Sequence, residues 1–223
     1  LEIDGKAKAY PLQILIWHEI INDELSGVPV IITFCPLCYS AIVFDRRIGG
    51  MMHTFGVSGL LRNSDMVMYD QATESFWQQL TGEAIVGKLA GKELQMIPSQ
   101  IISFNQFKES YSEGKILSRE TGFSRNYGSN PYAGYDDVDQ SPFLFDGPED
   151  KRLKPNEKVV AVKGEIPKAY PYSITKKKKV INDELDGKPI VIFHTEGAVS
   201  ALDESKIRDS KESGSTGVFS RKT

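Results

Sequence analysis

The chain alternates short apolar runs with polar, turn-forming clusters, and little of it keeps a helical period. Residues 6–10 predict a short strand. Residues 11–17 predict a helical turn opened by Pro11, because proline is tolerated in the first turn of a helix. Residues 18–23 and 29–34 flank Glu24-Leu25-Ser26-Gly27, the pattern of a hairpin. Residues 41–45 and 53–58 predict a second strand pair around Gly49-Gly50. Residues 66–70 alternate apolar and polar, as a half-buried strand does. Residues 76–86 predict a hairpin around Thr81-Gly82. The best helix is residues 99–111, with Ser99 as N-cap ahead of Ile101, Ile102, Phe104 and Phe107. Residues 115–118 return to strand. The pattern predicts a mainly β, α+β fold.

One segment occurs twice. Lys8-Ala9-Tyr10-Pro11 returns as Lys168-Ala169-Tyr170-Pro171, and Ile21-Asn22-Asp23-Glu24-Leu25 as Ile181-Asn182-Asp183-Glu184-Leu185. Gly27, Pro29 and Ser40-Ala41 match Gly187, Pro189 and Ser200-Ala201, all at one offset. Roughly 15 of about 34 aligned positions are identical, which reads as an internal duplication. The expected organisation is a first β-rich lobe over residues 1–123, a connecting loop over 124–157 and the start of a second lobe over 158–223. The loop is rich in Gly, Pro, Asn, Asp and Tyr and includes Asn130-Pro131-Tyr132-Ala133-Gly134-Tyr135. Its aromatics are expected to anchor it to the body. A loop this long without periodicity is uncommon unless it links or functions. Residue 1 is not Met, and the second copy stops where the first continues, so the sequence reads as part of a longer protein with its second lobe cut short.

The differences between the copies isolate the candidate chemistry. Trp17-His18-Glu19 becomes Lys177-Lys178-Lys179, Cys35 becomes Thr195 and Cys38 becomes Ala198. Residues kept in both copies build the scaffold, and residues present in one are free to do something else. The competing reading is a pair of small buried thiols beside a satisfied histidine.

Composition narrows the picture only a little. A hydrophobic share of 40% suits an ordinary globular core, and a net charge of −3 gives no electrostatic reason to expect nucleic acid. The run Lys176-Lys177-Lys178-Lys179 reads as a solvated strand or loop face. No apolar stretch reaches the ~18 residues that span a bilayer as a helix.

The chemistry centres on Cys35-Pro36-Leu37-Cys38, the only two cysteines of the chain, at the end of an apolar run. This spacing lets two sulfurs close a small disulfide ring or grip one metal ion. In the redox reading, Cys35 and Cys38 form a catalytic dithiol, with His18 as proton acceptor. The placement after a strand is like that of thioredoxin-type dithiols, but the alternating β-α-β units of that fold are absent. In the metal reading, Cys35 and Cys38 bind zinc or copper with help from His18, Glu19 and His53. His194 aligns with Phe34 and reads as an ordinary strand residue. Met51, Met52, Met66 and Met68 read as core packing rather than copper thioethers. A polar cluster of Ser58, Arg62, Asn63, Ser64, Asp65, Tyr69 and Asp70 reads as turn chemistry or as the wall of a ligand pocket beside the dithiol. Trp77-Gln78-Gln79 would pack over that pocket, and Arg119, Arg125 and Tyr127 are candidates for an anionic ligand. No Ser-His-Asp set, phosphate loop or dinucleotide fingerprint occurs.

These motifs together resemble the domain-of-unknown-function 3179 family. The resemblance runs through Ala9-Tyr10-Pro11, Trp17-His18-Glu19, Asn22-Asp23, Cys35-Pro36-Leu37-Cys38 and Phe55-Gly56-Val57-Ser58-Gly59-Leu60-Leu61. It continues through Asn63-Ser64-Asp65, Met68-Tyr69-Asp70, Thr73, Ser75, Trp77-Gln78-Gln79, Gly87 and Gly91 into Arg125, Tyr127, Asn130-Pro131-Tyr132 and Tyr135. It implies an extracytoplasmic or cell-surface protein whose relatives often carry an export or lipoprotein leader and a fuller second lobe. Some relatives resemble selenoproteins with selenocysteine in this motif, which implies redox chemistry.

The expected function is therefore an extracytoplasmic protein with a redox dithiol or soft-metal site at Cys35/Cys38, a thiol-disulfide or metal-dependent oxidoreductase if it is an enzyme. Its partner would be a small molecule or a protein thiol, and the first lobe could associate with a fuller second lobe. The alternative is a non-enzymatic cell-surface binding or structural module in which the cysteines are a staple.

Overall fold

The computed structural model describes residues 1–148 and 150–221. The protein is mainly β, with several small sheets and three short helices. Two four-stranded antiparallel sheets carry the candidate site. The first has the order Met96–Ile97, Ser40–Asp45, Val28–Cys35, Ile20–Leu25. The second has the order Ala84–Val86, Phe76–Gln78, Asp65–Asp70, Phe55–Arg62. Their buried faces share one apolar cluster of Ile31, Cys35, Phe44, Phe55, Met66, Met68 and Trp77. Leu37 and Cys38 pack at its edge, so the cysteine loop closes one end of the core.

Tight turns set the registers. Leu25 faces Val28, so Ser26-Gly27 is a two-residue hairpin loop, and both residues have positive φ as such loops require. Asn63-Ser64 does the same between Arg62 and Asp65. In the Phe55–Arg62 strand a register shift falls between Val57 and Leu61, at Gly59. This bulge is capped by Ser58, whose Oγ donates to Val67 O and accepts from Leu60 N–H.

The matching segments repeat element by element. Lys6–Ala9, the helix Leu12–His18 and the hairpin Ile20–Leu25/Val28–Cys35 correspond to Lys168–Pro171, Tyr172–Lys178 and Val180–Leu185/Lys188–Thr195. Ile20 faces Thr33 as Val180 faces Phe193, at the shared offset. The shared polar residues make the same bonds. Lys8 Nζ and the Tyr10 hydroxyl both donate to Asp23, and Lys168 and Tyr170 do so to Asp183. The residues of the expected lobes also pack together. Ala201 and Leu202 are buried in a second apolar cluster with Leu15, Val30 and Phe34. Tyr132 and Tyr135 pack against that cluster, so the loop aromatics are anchors, and Asn130 ties the loop to Glu204 and Ser205.

Several expectations change. The strand around residues 53–58 does not pair with residues 41–45. Gly49-Gly50 instead closes a small hairpin of Arg47–Ile48 and Met51–Met52, while Ser40–Asp45 pairs with Val28–Cys35 and Met96–Ile97. The helix expected from Ser99 is Phe104–Ser110, because Ser103 and Gln106 form a reciprocal capping box that Ser99 cannot. The lysine run is exposed but lies at the end of a helix, not on a strand or loop. Met66 and Met68 are core residues, whereas Met51 and Met52 are exposed on their hairpin. The Asp65–Asp70 strand is buried at every position but Tyr69, so its polar ends are enclosed rather than solvated.

The distal end of that strand is fixed by Asp70. Its carboxylate accepts from Thr73 N–H, Thr73 Oγ1 and Trp77 Nε1, and pairs with His53 Nδ1 at 3.1 Å. Burial alone would raise its pKa, but these donors hold it below the ordinary carboxylate value. Asp70→Ala strands several buried donors and should destabilise the protein by about 3 kcal/mol, lowering Tm by about 10 °C. A depressed folded pKa gives stability that is complete above the unfolded value and lost as pH falls through the folded one. The difference between wild type and variant should thus be constant above about pH 4 and shrink only below it. Thermal denaturation across pH checks this, and an unchanged Tm at neutral pH would refute it.

Candidate functional site

The site is built where two chain reversals meet. Val28–Cys35 delivers Cys35 at its last position, and Cys35 faces Ser40 at the start of the returning strand. Pro36, Leu37, Cys38 and Tyr39 make the connection, closed by a Tyr39 N–H bond to Pro36 O with Tyr39 at positive φ. The loop folds Cys38 back over the strand end. From the second sheet, the Asn63-Ser64 turn delivers Asp65 to the same place. One sulfur each from Cys35 and Cys38 and one Asp65 carboxylate oxygen lie within 4.8 Å of one another. It is the one such group of Cys, His, Asp or Glu ligand atoms among the described residues. Cys35 and Asp65 are 1% and 2% exposed, while Cys38 is half-buried and gives the cluster its solvent side.

The surroundings are rich in acceptors. The single proton of the Cys38 thiol faces Asp65 Oδ1 at 3.3 Å, Ser40 Oγ at 3.0 Å and Cys35 O at 4.0 Å. Cys35 Sγ faces Ser64 O at 3.9 Å. Ser40 gives its own proton to Gln79 Oε1 at 2.7 Å, and Gln79 Nε2 in turn donates to Thr33 Oγ1 and Ser40 O. Gln79 and Thr33 are fully buried, so this chain of bonds fixes the Ser40 hydroxyl and, through it, Cys38. Asp65 also accepts the Leu80 N–H at 2.9 Å. Among the described residues no Lys, Arg or His bonds to either sulfur or to Asp65. The electrostatics follow from this. The adjacent Cys35 sulfur, burial and the Asp65 charge raise the pKa of Cys38 far above that of a free thiol, against a small opposing effect of Ser40. Burial also raises the Asp65 carboxyl, opposed by its hydrogen bonds.

The histidines expected beside the thiols bond elsewhere. His18 ends its helix with Nε2 at 2.6 Å from the Tyr127 hydroxyl, which also bonds Thr121 Oγ1. Burial and the nearby Arg125 charge hold its pKa below the usual value. Its ring packs on Phe123 and Tyr127. His53 is enclosed with Asp70 at the opposite end of the strand. Glu19 adopts positive φ at the helix end and accepts from Tyr132. It stays outside the ligand cluster, but the pair is not remote. Burial, Glu19 and the Cys35 charge together push Tyr132 up to about 12.

Most of the expected pocket wall has structural duties. Ser58 caps the bulge, Asn63 forms the turn, and Tyr69 lies across Gly56, where a Cβ would meet the ring at 2.7 Å. Trp77 is fully buried in the core against Phe55 rather than over a cleft. Arg125 is exposed and bonds the neighbouring Ser124 carbonyl. Of that group Asp65 joins the thiols with its side chain, and Ser64 meets Cys35 Sγ with its carbonyl. Gln79, expected with Trp77 and Gln78 over the pocket, instead bonds Ser40 and Thr33, which were not anticipated. Ser40 is shared with the segment that lacks the cysteines and so looked like scaffold, although its place two residues after Cys38 on a returning strand was a usable signal.

A family model described as "Protein of unknown function (DUF3179)" matches residues 1–223. No curated protein and no solved structure matches the chain.

The acidic surroundings make Cys38 a poor nucleophile in the metal-free protein, since the thiolate is the reactive form. Alkylation by iodoacetamide near pH 8 should be at least about tenfold slower at Cys38 than in an unstructured cysteine peptide. Asp65→Asn removes a charge that opposes ionisation and should accelerate it several-fold. Site-resolved mass spectrometry measures both rates, and a slower reaction in the variant would contradict the assigned electrostatics.

Proposed function

The chain belongs to the DUF3179 family, and we propose that its Cys35/Cys38/Asp65 cluster binds a soft or borderline metal ion, with zinc the best match and copper the next. One observation carries this reading. Two sulfurs and a carboxylate oxygen converge within 4.8 Å of one another without a basic partner, and one cation can meet all three. Borderline Zn²⁺ accepts thiolate and carboxylate donors together. The Ser40–Gln79–Thr33 chain supports it as the kind of surrounding shell that orients ligands. Copper(I) suits the two thiolates but gains less from Asp65. His18, Glu19 and His53 have no part in holding the ion. The extracytoplasmic setting that the family resemblance implies belongs to the same proposal.

Thiol redox is the second reading, favoured by the closeness of the two sulfurs on a four-residue loop. Half-buried Cys38 would be the accessible member. Against it stand the raised Cys38 pKa and the adjacent carboxylate, since attack needs a thiolate and an electropositive setting.

Protein purified without added metal, or reconstituted with zinc, should hold about one ion per chain by elemental analysis. Bound metal should slow the reaction of Cys38 with a chromogenic disulfide reagent further, and a chelator should restore the slow rate of the metal-free protein. Cys35→Ser and Cys38→Ser should each lower affinity by at least about a hundredfold and Asp65→Asn by about tenfold, with the far-UV signature of the fold retained. Because binding displaces protons, affinity should rise with pH. Two exposed thiols that cycle through an intramolecular disulfide, with no metal at any stage, would favour the redox reading. A disulfide inert to reductants would favour the staple.

A further inference from the structure

Ser64 is out of keeping with the other tight hairpins of this chain. Two-residue loops with positive φ at both positions occur at Asp4-Gly5, Ser26-Gly27, Gly49-Gly50, Asn63-Ser64 and Asp186-Gly187. In four of the five the second position is glycine, the residue that left-handed backbone favours. There a Cβ would project into open space. At the fifth, Ser64 holds φ +67 and is only 3% exposed. Its side chain is turned into the protein at a position where L residues are disfavoured. Its buried Oγ has no hydrogen-bond partner among the described residues. Buried hydroxyls are nearly always bonded, so an orphan of this kind points to a partner from outside the chain.

Its location says what that partner touches. The Ser64 carbonyl lies 3.9 Å from Cys35 Sγ, and the next residue is Asp65. The orphan hydroxyl therefore belongs to the residue that touches one sulfur through its carbonyl and precedes the carboxylate in the chain. That cluster supplies three donor atoms, and zinc in a closed structural site takes four from protein. We infer that the fourth position of the ion is taken by an exchangeable ligand, water-derived hydroxide or a small anion, which the Ser64 hydroxyl holds by a hydrogen bond. This rests on the metal reading and extends it, making the centre of the reactive, open type rather than a structural staple. Half-buried Cys38 marks the side from which such a ligand enters.

Cobalt(II) in place of zinc tests it, with azide as the exogenous ligand. Azide should shift the visible cobalt bands saturably. Ser64→Gly should leave cobalt affinity within about twofold and weaken azide binding by about tenfold, the loss of one hydrogen bond to a charged group. The same variant removes the left-handed strain, so its Tm should stay level or rise, which separates the lost bond from lost structure. Cobalt bound with a spectrum indifferent to azide, or azide held equally well by Ser64→Gly, overturns this inference alone. Failure of the wild-type protein to bind cobalt or zinc overturns the metal reading and this one with it.

Discussion

A carboxylate taken out of water must be answered by donors or by a cation, and the strand Asp65–Asp70 poses that demand at both ends. Asp70 is answered by donors from Thr73, Trp77 and His53, which pin the strand to the core. Asp65 receives the Leu80 N–H, is helped by Gln78 and the Met66 N–H, and meets a thiol whose one proton other acceptors also face. The first arrangement completes itself within the chain. The second, on the reading proposed above, is completed by a positive ion. Burial of an ionised group without such an answer is costly enough that it changes protonation state instead. The raised pKa values of Asp65 and Cys38 express that cost in the metal-free protein.

The rest of the site depends on how rigidly that strand is presented. Its register is set by the Asn63-Ser64 turn at one end and the Asp70 bonds at the other, and its middle is locked by Met66 and Met68 in the shared core. A slip of one residue would exchange its two faces, moving Asp65 away from the thiols and Met66 out of the core. Local stiffness around Cys38 has a different source. Ser40, Gln79 and Thr33 form a bonded chain across the first sheet, and Gln79 follows directly after Phe76–Gln78 of the second. The two sheets are therefore joined by polar bonds as well as apolar packing at the point where their ligands converge.

What could be read from the sequence was what short-range chemistry determines. Tight turns with glycine, the strand leading into Cys35, the Pro11 helix and the anchoring role of Tyr132 and Tyr135 all depend on near neighbours or on bulk. Ser103 outcompeted Ser99 as a cap because Gln106 stands three residues after it, a local rule that was available. The partners of His18 could not be read that way. Tyr127 is more than a hundred residues distant in sequence, and the choice between it and the thiols is made by the path of the loop that Asn130 anchors. Asp65 was visible only as one of several polar residues in a turn. Selecting it required the packing of one sheet on the other, which no local pattern encodes.

The second matching segment shows what the scaffold does when the ligands are absent. It builds the same strand, helix and hairpin in the same register, and the Lys-Tyr-Asp bonds recur. Thr195, in the place of Cys35, accepts from Gln106 Nε2, and the carbonyl of Ala198, in the place of Cys38, accepts from Ser213 and Gly214 N–H. These are ordinary neutral bonds. Lys179 takes the place of Glu19 and keeps its positive φ, so even the strained end of the helix belongs to the scaffold and not to the cysteines. The fold thus holds without sulfur at these positions. The convergence of Cys35, Cys38 and Asp65 is a property of the first segment and of the Asp65 strand brought against it.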